Sequence, residues 1–266
     1  MEPMVSIALR AARKAGDTIV RAADELDRLP VDSKGTNDFV SEVDRNAERE
    51  IIQQLAKTYP DHAFIGEESG RTGPEEAEYV WIIDPLDGTT NYLRGIPHYA
   101  VSIACTYKGK LEHAVVHNPV LREEYTASRG RGAQFNGRRI RVSNTQGLES
   151  ALVGTGIPFK GHCAEHLPTY SAALAEIASR SAGIRRAGAA SLDLAYVAAG
   201  RLDAFWEIGL APWDMAAGVL LIKEAGGLVS DFDGGEKFME SGNIVAGNPR
   251  AFKSVLQIVA SKTRVG

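Results

Sequence analysis

Val80-Trp-Ile-Ile-Asp84-Pro-Leu-Asp87-Gly-Thr-Thr90 is the stretch on which the fold and the chemistry of this chain turn. Four apolar residues, Val80 to Ile83, read as a short buried strand that runs directly into two carboxylates. Pro85 removes a backbone donor and is expected to stop the ladder there. Gly88 lets the backbone turn tightly, and Thr89 and Thr90 can open a helix. Asp84 and Asp87 share one turn and repel each other if both stay ionised, so a divalent cation would relieve them. Hard carboxylate oxygens, with no cysteine and no histidine pair nearby, favour magnesium, or manganese in its place, over zinc. The Leu86 carbonyl is a further oxygen donor, and amides at Gly88 and the helix start suit a phosphate. Taken alone, Asp-x-x-Asp-Gly-Thr is equally the pattern of a calcium loop or a capped helix.

Upstream of this stretch, Ala63 to Gly66 reads as a strand ending in Glu67 and Glu68, followed by a polar loop over Ser69 to Glu78. By itself such a glutamate pair reads as a solvated turn. Two helices come before it. Met4, Ile7, Ala8, Ala11, Ala12, Ala15 and Ile19 form one apolar face; Val43, Ala47, Ile51 and Leu55 form another. The segment from Leu29 to Asp38 is broken by Pro30, Gly35 and Asn37, so the second helix is expected to start after it, with Asp44 in its first turn as an acid complementing the helix N-terminus.

Downstream, Tyr99 to Tyr107, Leu111 to Asn118 and Glu124 to Ser128 read as an antiparallel meander that ends in the Gly-rich Arg129 to Gly137. The arginines 129, 131, 138, 139 and 141 read as a solvated hairpin face, with phosphate or RNA contact as the alternative. From Ala151 the rhythm becomes strand, helix, strand, helix, closing with a helix from Pro249. The fold class is therefore α/β, one structural unit with a soft boundary: an α+β half over residues 1–145, expected to bind metal and phosphate, and an α/β half over residues 146–266, expected to complete the site.

The 266 residues are 44% hydrophobic and 24% charged, ordinary globular values with enough chain for a large core. A formal net charge of −4 gives no general reason to expect nucleic acid as a ligand. Cys105 and Cys163 have neither disulfide-framework nor metal-ligand spacing, which fits a reduced, cytoplasmic setting. Arg10, Arg13 and Lys14 interrupt the N-terminal segment, and apolar runs such as Met215 to Ile222 are too short to span a bilayer, so neither a signal peptide nor a membrane anchor is expected.

Trp81-Ile-Ile-Asp84-Pro-Leu-Asp87-Gly-Thr89-Thr-Asn91 resembles the first signature of the inositol monophosphatase family, and Trp213-Asp214-Met-Ala-Ala-Gly218 resembles its second. Asp38-Phe-Val-Ser-Glu-Val-Asp44, Gly66-Glu67-Glu68-Ser69, Ile184-Arg-Arg-Ala-Gly188 and Glu207-Ile-Gly follow the family order across almost the whole chain. The resemblance is closest to the bacterial extragenic-suppressor branch and implies a layered αβαβα sandwich of the sugar-phosphatase type.

It also implies roles. Glu67, Asp84 and the Leu86 carbonyl would hold a first magnesium, Asp84, Asp87 and Asp214 a second, and Glu67 would share in a weaker third. Thr89 and Asp44 would orient and deprotonate the attacking water, and the Gly88 and Thr89 amides would hold the phosphate. Glu207, Asp87 and the segment Gly188, Ala189 and Ala190 would face sugar hydroxyls; Ala189 stands where some relatives carry threonine. Lys34 lies at a spacing from Asp38 that differs between family branches.

The implied substrate is an inositol monophosphate, with fructose-1,6-bisphosphate and 3′-phosphoadenosine-5′-phosphate as alternatives; sensitivity to lithium and a homodimer are implied too. Haloacid-dehalogenase-type phosphatases also place acids and threonine after a strand, but two positions apart, where Asp84 and Asp87 are three apart. Bacterial relatives of this branch are implicated in transcription antitermination, so contact with RNA polymerase or its elongation factors is a further implied role, one that does not need catalysis.

Overall fold

The computed structural model describes residues 2–26, 33–159 and 161–263, and within them the side chains outside 24–41. Lys34 and Asp38 lie outside the described side chains.

Helices α1 (Pro3–Leu26) and α2 (Ser33–Thr58) pack against each other. Each buries one stripe: Val5, Ala8, Ala12, Ala15 and Ile19 from α1, and Val43, Ala47, Ile51 and Leu55 from α2. One correction follows from the start of α2 at Ser33. Asp44 does not lie in the first turn but about three turns in, so complementing a helix N-terminus is not its role.

The two helices cover one face of an eight-stranded sheet. Its strands are β1 (Ala63–Gly66), β2 (Gly70–Thr72), β3 (Tyr79–Asp87), β4 (Ala100–Tyr107), β5 (Lys110–Asn118), β6 (Glu123–Ser128), β7 (Gly132–Phe135) and β8 (Arg138–Arg139), in the order β2-β1-β3-β4-β5-β6-β7-β8. Only β1 and β3 run parallel; every other pair is antiparallel, as the meander requires. The polar loop expected after Gly66 contains the exposed strand β2, which pairs back onto β1.

Nor does Pro85 end its strand. β3 shifts register between Asp84 and Asp87 and resumes its pairing with β4 at Asp87 and Ala100. A bulge is where a residue without an N–H is tolerated in a sheet, and the extra residues re-aim the side chains beside it. A short helix, α3 (Thr89–Leu93), follows directly.

The second sheet has five strands: β9 (Leu152–Thr155), β10 (Gly183–Arg185), β11 (Ala204–Glu207), β12 (Leu228–Ser230) and β13 (Ile244–Gly247), in the order β10-β9-β11-β13-β12. β10, β9 and β11 are parallel, and β13 and β12 are antiparallel additions. Its outer face carries α4 (Leu167–Arg180) and α8 (Pro249–Thr263). Between the two sheets lie α5 (Ala190–Ala198) and α6 (Pro212–Glu224), and the four-residue α7 (Phe238–Ser241) packs on α6. A helix caught between two sheets has no solvent face, which is why Met215 to Ile222 is buried without interruption. The result is an α/β fold of five layers, αβαβα. Among the described residues no helix is long and apolar enough to cross a membrane.

Candidate active site

The acidic stretch sits where β3 leaves its sheet. At the bulge the Leu86 amide donates to Asp84 Oδ1 at 2.9 Å, while the Leu86 side chain is buried against the α1/α2 layer. Gly88 then takes a φ of +96°, and a Cβ there would stand 2.9 Å from the His98 carbonyl oxygen, so only glycine makes this turn without strain. Asn91 ties the turn to a distant segment: its Nδ2 donates to the carbonyls of His98 at 2.7 Å and Ala187 at 2.9 Å. Those bonds bring the residues ahead of α5 up against the end of β3.

Asp87 reaches across to α5, where its Oδ2 accepts the Ser191 amide at 2.7 Å and the Ser191 hydroxyl. Asp214, in the first turn of α6, accepts the Ala211 amide at 2.7 Å on Oδ2. One oxygen from each of Asp84, Asp87 and Asp214 lies within 4.8 Å of the other two. A sequence gap of 127 residues between Asp87 and Asp214 is thus closed by setting α6 between the sheets.

Crowding at this point shows in the acid–base behaviour. Burial, then the charges of Asp87, Glu67, Asp214 and Asp44, push Asp84 well above the ordinary carboxylate range. Asp87 rises to about 7 through burial and the charge of Asp214. Glu67 also rises to about 7, through withdrawal of its carboxyl from water and the charges of Asp214 and Glu68, although it lies within hydrogen-bond reach of Asp84. Asp44 is lifted to about 8 by burial and by Glu67, Glu68 and Glu48. Asp214 is raised by burial, and it too lies within reach of Asp84.

Among the described residues no lysine or arginine forms an ion pair with any of the five. Carboxyls this close must share protons or a cation. The donor set fits a hard divalent ion: it is all oxygen, and Asp44 Oδ1 is buried with no hydrogen-bond partner among the described residues.

In front of the acids opens a cleft of about 250 Å³. Asp87, Gly88, Thr89 and Asp214 line one side, and Gly188, Ala189, Ala190 and Glu207 join them there. Asp44, Glu67, Asp84 and Leu86 are not on its wall; Glu67 and Asp84 connect to it through the contact between Asp84 and Asp214. Thr89 does not pair with Asp44 Oδ1: its hydroxyl donates to the Leu86 carbonyl at 3.1 Å. Glu207 is pushed well above its usual range by burial and by Asp193, Asp214 and Asp87.

Sequence reasoning missed Ser191, Asn91 and Asp193. Asp193 is 2% exposed on the apolar helix α5, and burial followed by the Asp87 charge raises it well above the usual range. The one sequence signal for it was an acid inside an otherwise apolar helical run. Ser191 carried none, because an ordinary helix-start serine looks the same.

Comparison with known proteins identifies the family and agrees with the fold. The sequence profile of the inositol monophosphatase family matches residues 1–264. A Pseudomonas aeruginosa protein named Nus factor SuhB is 59% identical, over 97% of this chain and 96% of its own. The crystal structure of extragenic suppressor protein suhB from Bartonella henselae superposes with a TM-score of 0.90 at 44% identity, covering 97% of this chain and 98% of that one. An inositol monophosphatase from Anabaena superposes at 0.85 with 33% identity, over 97% and 95%.

Proposed function

The chain belongs to the inositol monophosphatase family, and on that premise we propose that it is a magnesium-dependent phosphomonoesterase releasing inositol and phosphate from inositol 1-phosphate. The observation that carries this reading is the convergence of Asp84, Asp87 and Asp214 within 4.8 Å, with no lysine or arginine among the described residues in an ion pair with them. In this reading Glu67, Asp84 and the Leu86 carbonyl hold one ion, and Asp84, Asp87 and Asp214 hold another. A third, weaker ion leans on Glu67, and manganese can substitute. Bound magnesium supplies charge neutralisation at the phosphate and a more acidic water.

The chain's own groups do the rest. The Gly88 and Thr89 amides take phosphate oxygens, which fixes phosphorus in line between water and the leaving alcohol. Thr89 releases the Leu86 carbonyl and orients the water, and Asp44, whose Oδ1 awaits a donor, accepts the proton. Water attacks phosphorus directly as the alkoxide leaves and takes a proton from solvent water, and Asp44 returns its proton to solvent, so no phosphoenzyme forms. Glu207, Asp87 and the backbone of residues 188–190 grip the sugar hydroxyls.

A panel measuring phosphate release from inositol 1-phosphate, fructose-1,6-bisphosphate and 3′-phosphoadenosine-5′-phosphate, with and without magnesium, tests this. Inositol 1-phosphate is expected to be the best of the three, and millimolar lithium to inhibit. A phosphoenzyme trapped on Asp84 would sink the water-attack mechanism.

A second reading rests on the relatives named Nus factor SuhB, at 59% identity in Pseudomonas aeruginosa and 51% in Escherichia coli. We infer a cytoplasmic homodimer that also contacts RNA polymerase or its elongation factors, alongside phosphatase activity. Light scattering tests the dimer. Stoichiometric recovery of RNA polymerase or an elongation factor in a pull-down, undiminished in a catalytically dead variant, supports the second role, and no recovery removes it.

A further inference from the structure

Two acids one turn apart on α2 are buried: Asp44 at 5% exposure and Glu48 at 2%. Glu48 has no part in the reading above. Its place on the helix, between Ala47 and Ile51, belongs to the apolar stripe, where a carboxylate is costly unless its oxygens are satisfied. Both are satisfied by one loop. Glu48 Oε2 accepts the Glu68 amide and Oε1 accepts the Ser69 amide, each at 2.9 Å.

Gly66 completes the fit, since a Cβ there would stand 2.3 Å from Glu48 Oε2. The residue between, Glu67, donates its own amide to the Ile83 carbonyl at 3.1 Å, one residue before Asp84. The backbone on either side of the Glu67 side chain is therefore clamped, by β3 in front and by Glu48 behind.

We propose that Glu48 is a positioning residue for the acid site, fixing the loop 67–69 so that the Glu67 carboxylate stands against Asp84 already placed for a divalent cation. This rests on the metal-dependent reading above. Removing the clamp leaves every ligand in place and loosens only the direction in which Glu67 is held, so metal affinity falls more than the chemical step does.

The test compares wild type, Glu48→Gln and Glu48→Asp. Manganese binding is measured by calorimetry, and half-activating magnesium by phosphate release from inositol 1-phosphate. Gln keeps the shape but turns an N–H₂ toward an amide; Asp keeps the charge but falls short by a methylene. Both variants are expected to bind manganese about 10-fold or more weakly. Half-activating magnesium should rise by the same factor, while KM for the substrate at saturating metal holds.

Hydrogen exchange on the wild-type protein should show the Glu68 and Ser69 amides protected without metal, a readout independent of whether the variants fold. Wild-type manganese affinity in a folded variant, or rapid exchange at those two amides, overturns the proposal. Wild-type protein that takes up no manganese instead overturns the metal-dependent reading itself, and the inference with it.

Discussion

Asp231 and Asp84 both expose little surface and behave in opposite ways. Asp231, 8% exposed, follows β12 and accepts amides on both oxygens: Asp233 at 2.9 Å and Gly235 at 2.7 Å on Oδ1, Lys237 at 3.1 Å on Oδ2. Burial alone would raise its pKa, but these donors, with Gly234, draw it below the ordinary value. Asp84 has one amide, Asp214 has one, and Asp44 Oδ1 has none, and all three are pushed up. Burial and neighbouring carboxylates push a carboxyl up and the donors aimed at it draw it down, and the balance of the two separates Asp231 from the acids around Asp84. Asp231 is a pin for a turn, whereas the acids around Asp84 must share either protons or a cation.

The sharpest way to break that contrast is Asp87→Asn. It is expected to lower phosphate release by on the order of 10³-fold or more at saturating magnesium. The metal-free variant should melt no lower than wild type, because a neutral amide relieves repulsion. Near-normal turnover would refute the assignment of Asp87.

Next comes pH. Asp44 at about 8, and Glu67 and Asp87 at about 7, all lie above their unfolded values, so the metal-free folded state binds the extra protons. Their stabilising protonation is complete at low pH and is lost as pH rises through the folded values. Melting temperature in a chelator should fall between about pH 4 and pH 8, and magnesium should oppose the fall. A flat melting profile in chelator would mean that the acids are not crowded.

Asp231→Ala is the counterpart on the structural side. Leaving three amides without their acceptor should cost about 2–3 kcal/mol of stability, read by denaturant titration. Turnover and half-activating magnesium, measured where the variant is folded, should stay at wild-type values; a change in metal dependence would erase the distinction between the two regions. The smallest effect is expected from Ser191→Ala, which deletes one of two donors to Asp87 and keeps the amide. Activity should drop by less than about 10-fold, and a loss as large as that of Asp87→Asn would show that the hydroxyl has a direct chemical part.

Much of this architecture was legible in residue spacing. The apolar face of α1, the meander from β4 to β7 and the alternation from β9 onward are local patterns, each written within one or two dozen residues. What escaped depended on neighbours. β2 consists of three exposed residues with no apolar signal, and exists because the edge of β1 offers it partners. β3 runs past Pro85 because a bulge absorbs the missing donor. α2 begins at Ser33 despite Gly35, since one glycine costs a helix only about 1 kcal/mol.

The site divides along the same line. Asp84, Leu86, Asp87, Gly88 and Thr89 are contiguous, so the sequence by itself determined that two acids and a tight glycine turn would stand together at a strand end. Likeness to a family added Glu67, Asp214 and Glu207. Only the tertiary structure decided that Ser191 would hold Asp87, that Asp193 would be buried beside the cleft, and that Glu48 would brace the loop after β1. The reason is physical: backbone geometry is set over a few residues, whereas desolvation and the approach of charges depend on which layers of the sandwich close over them.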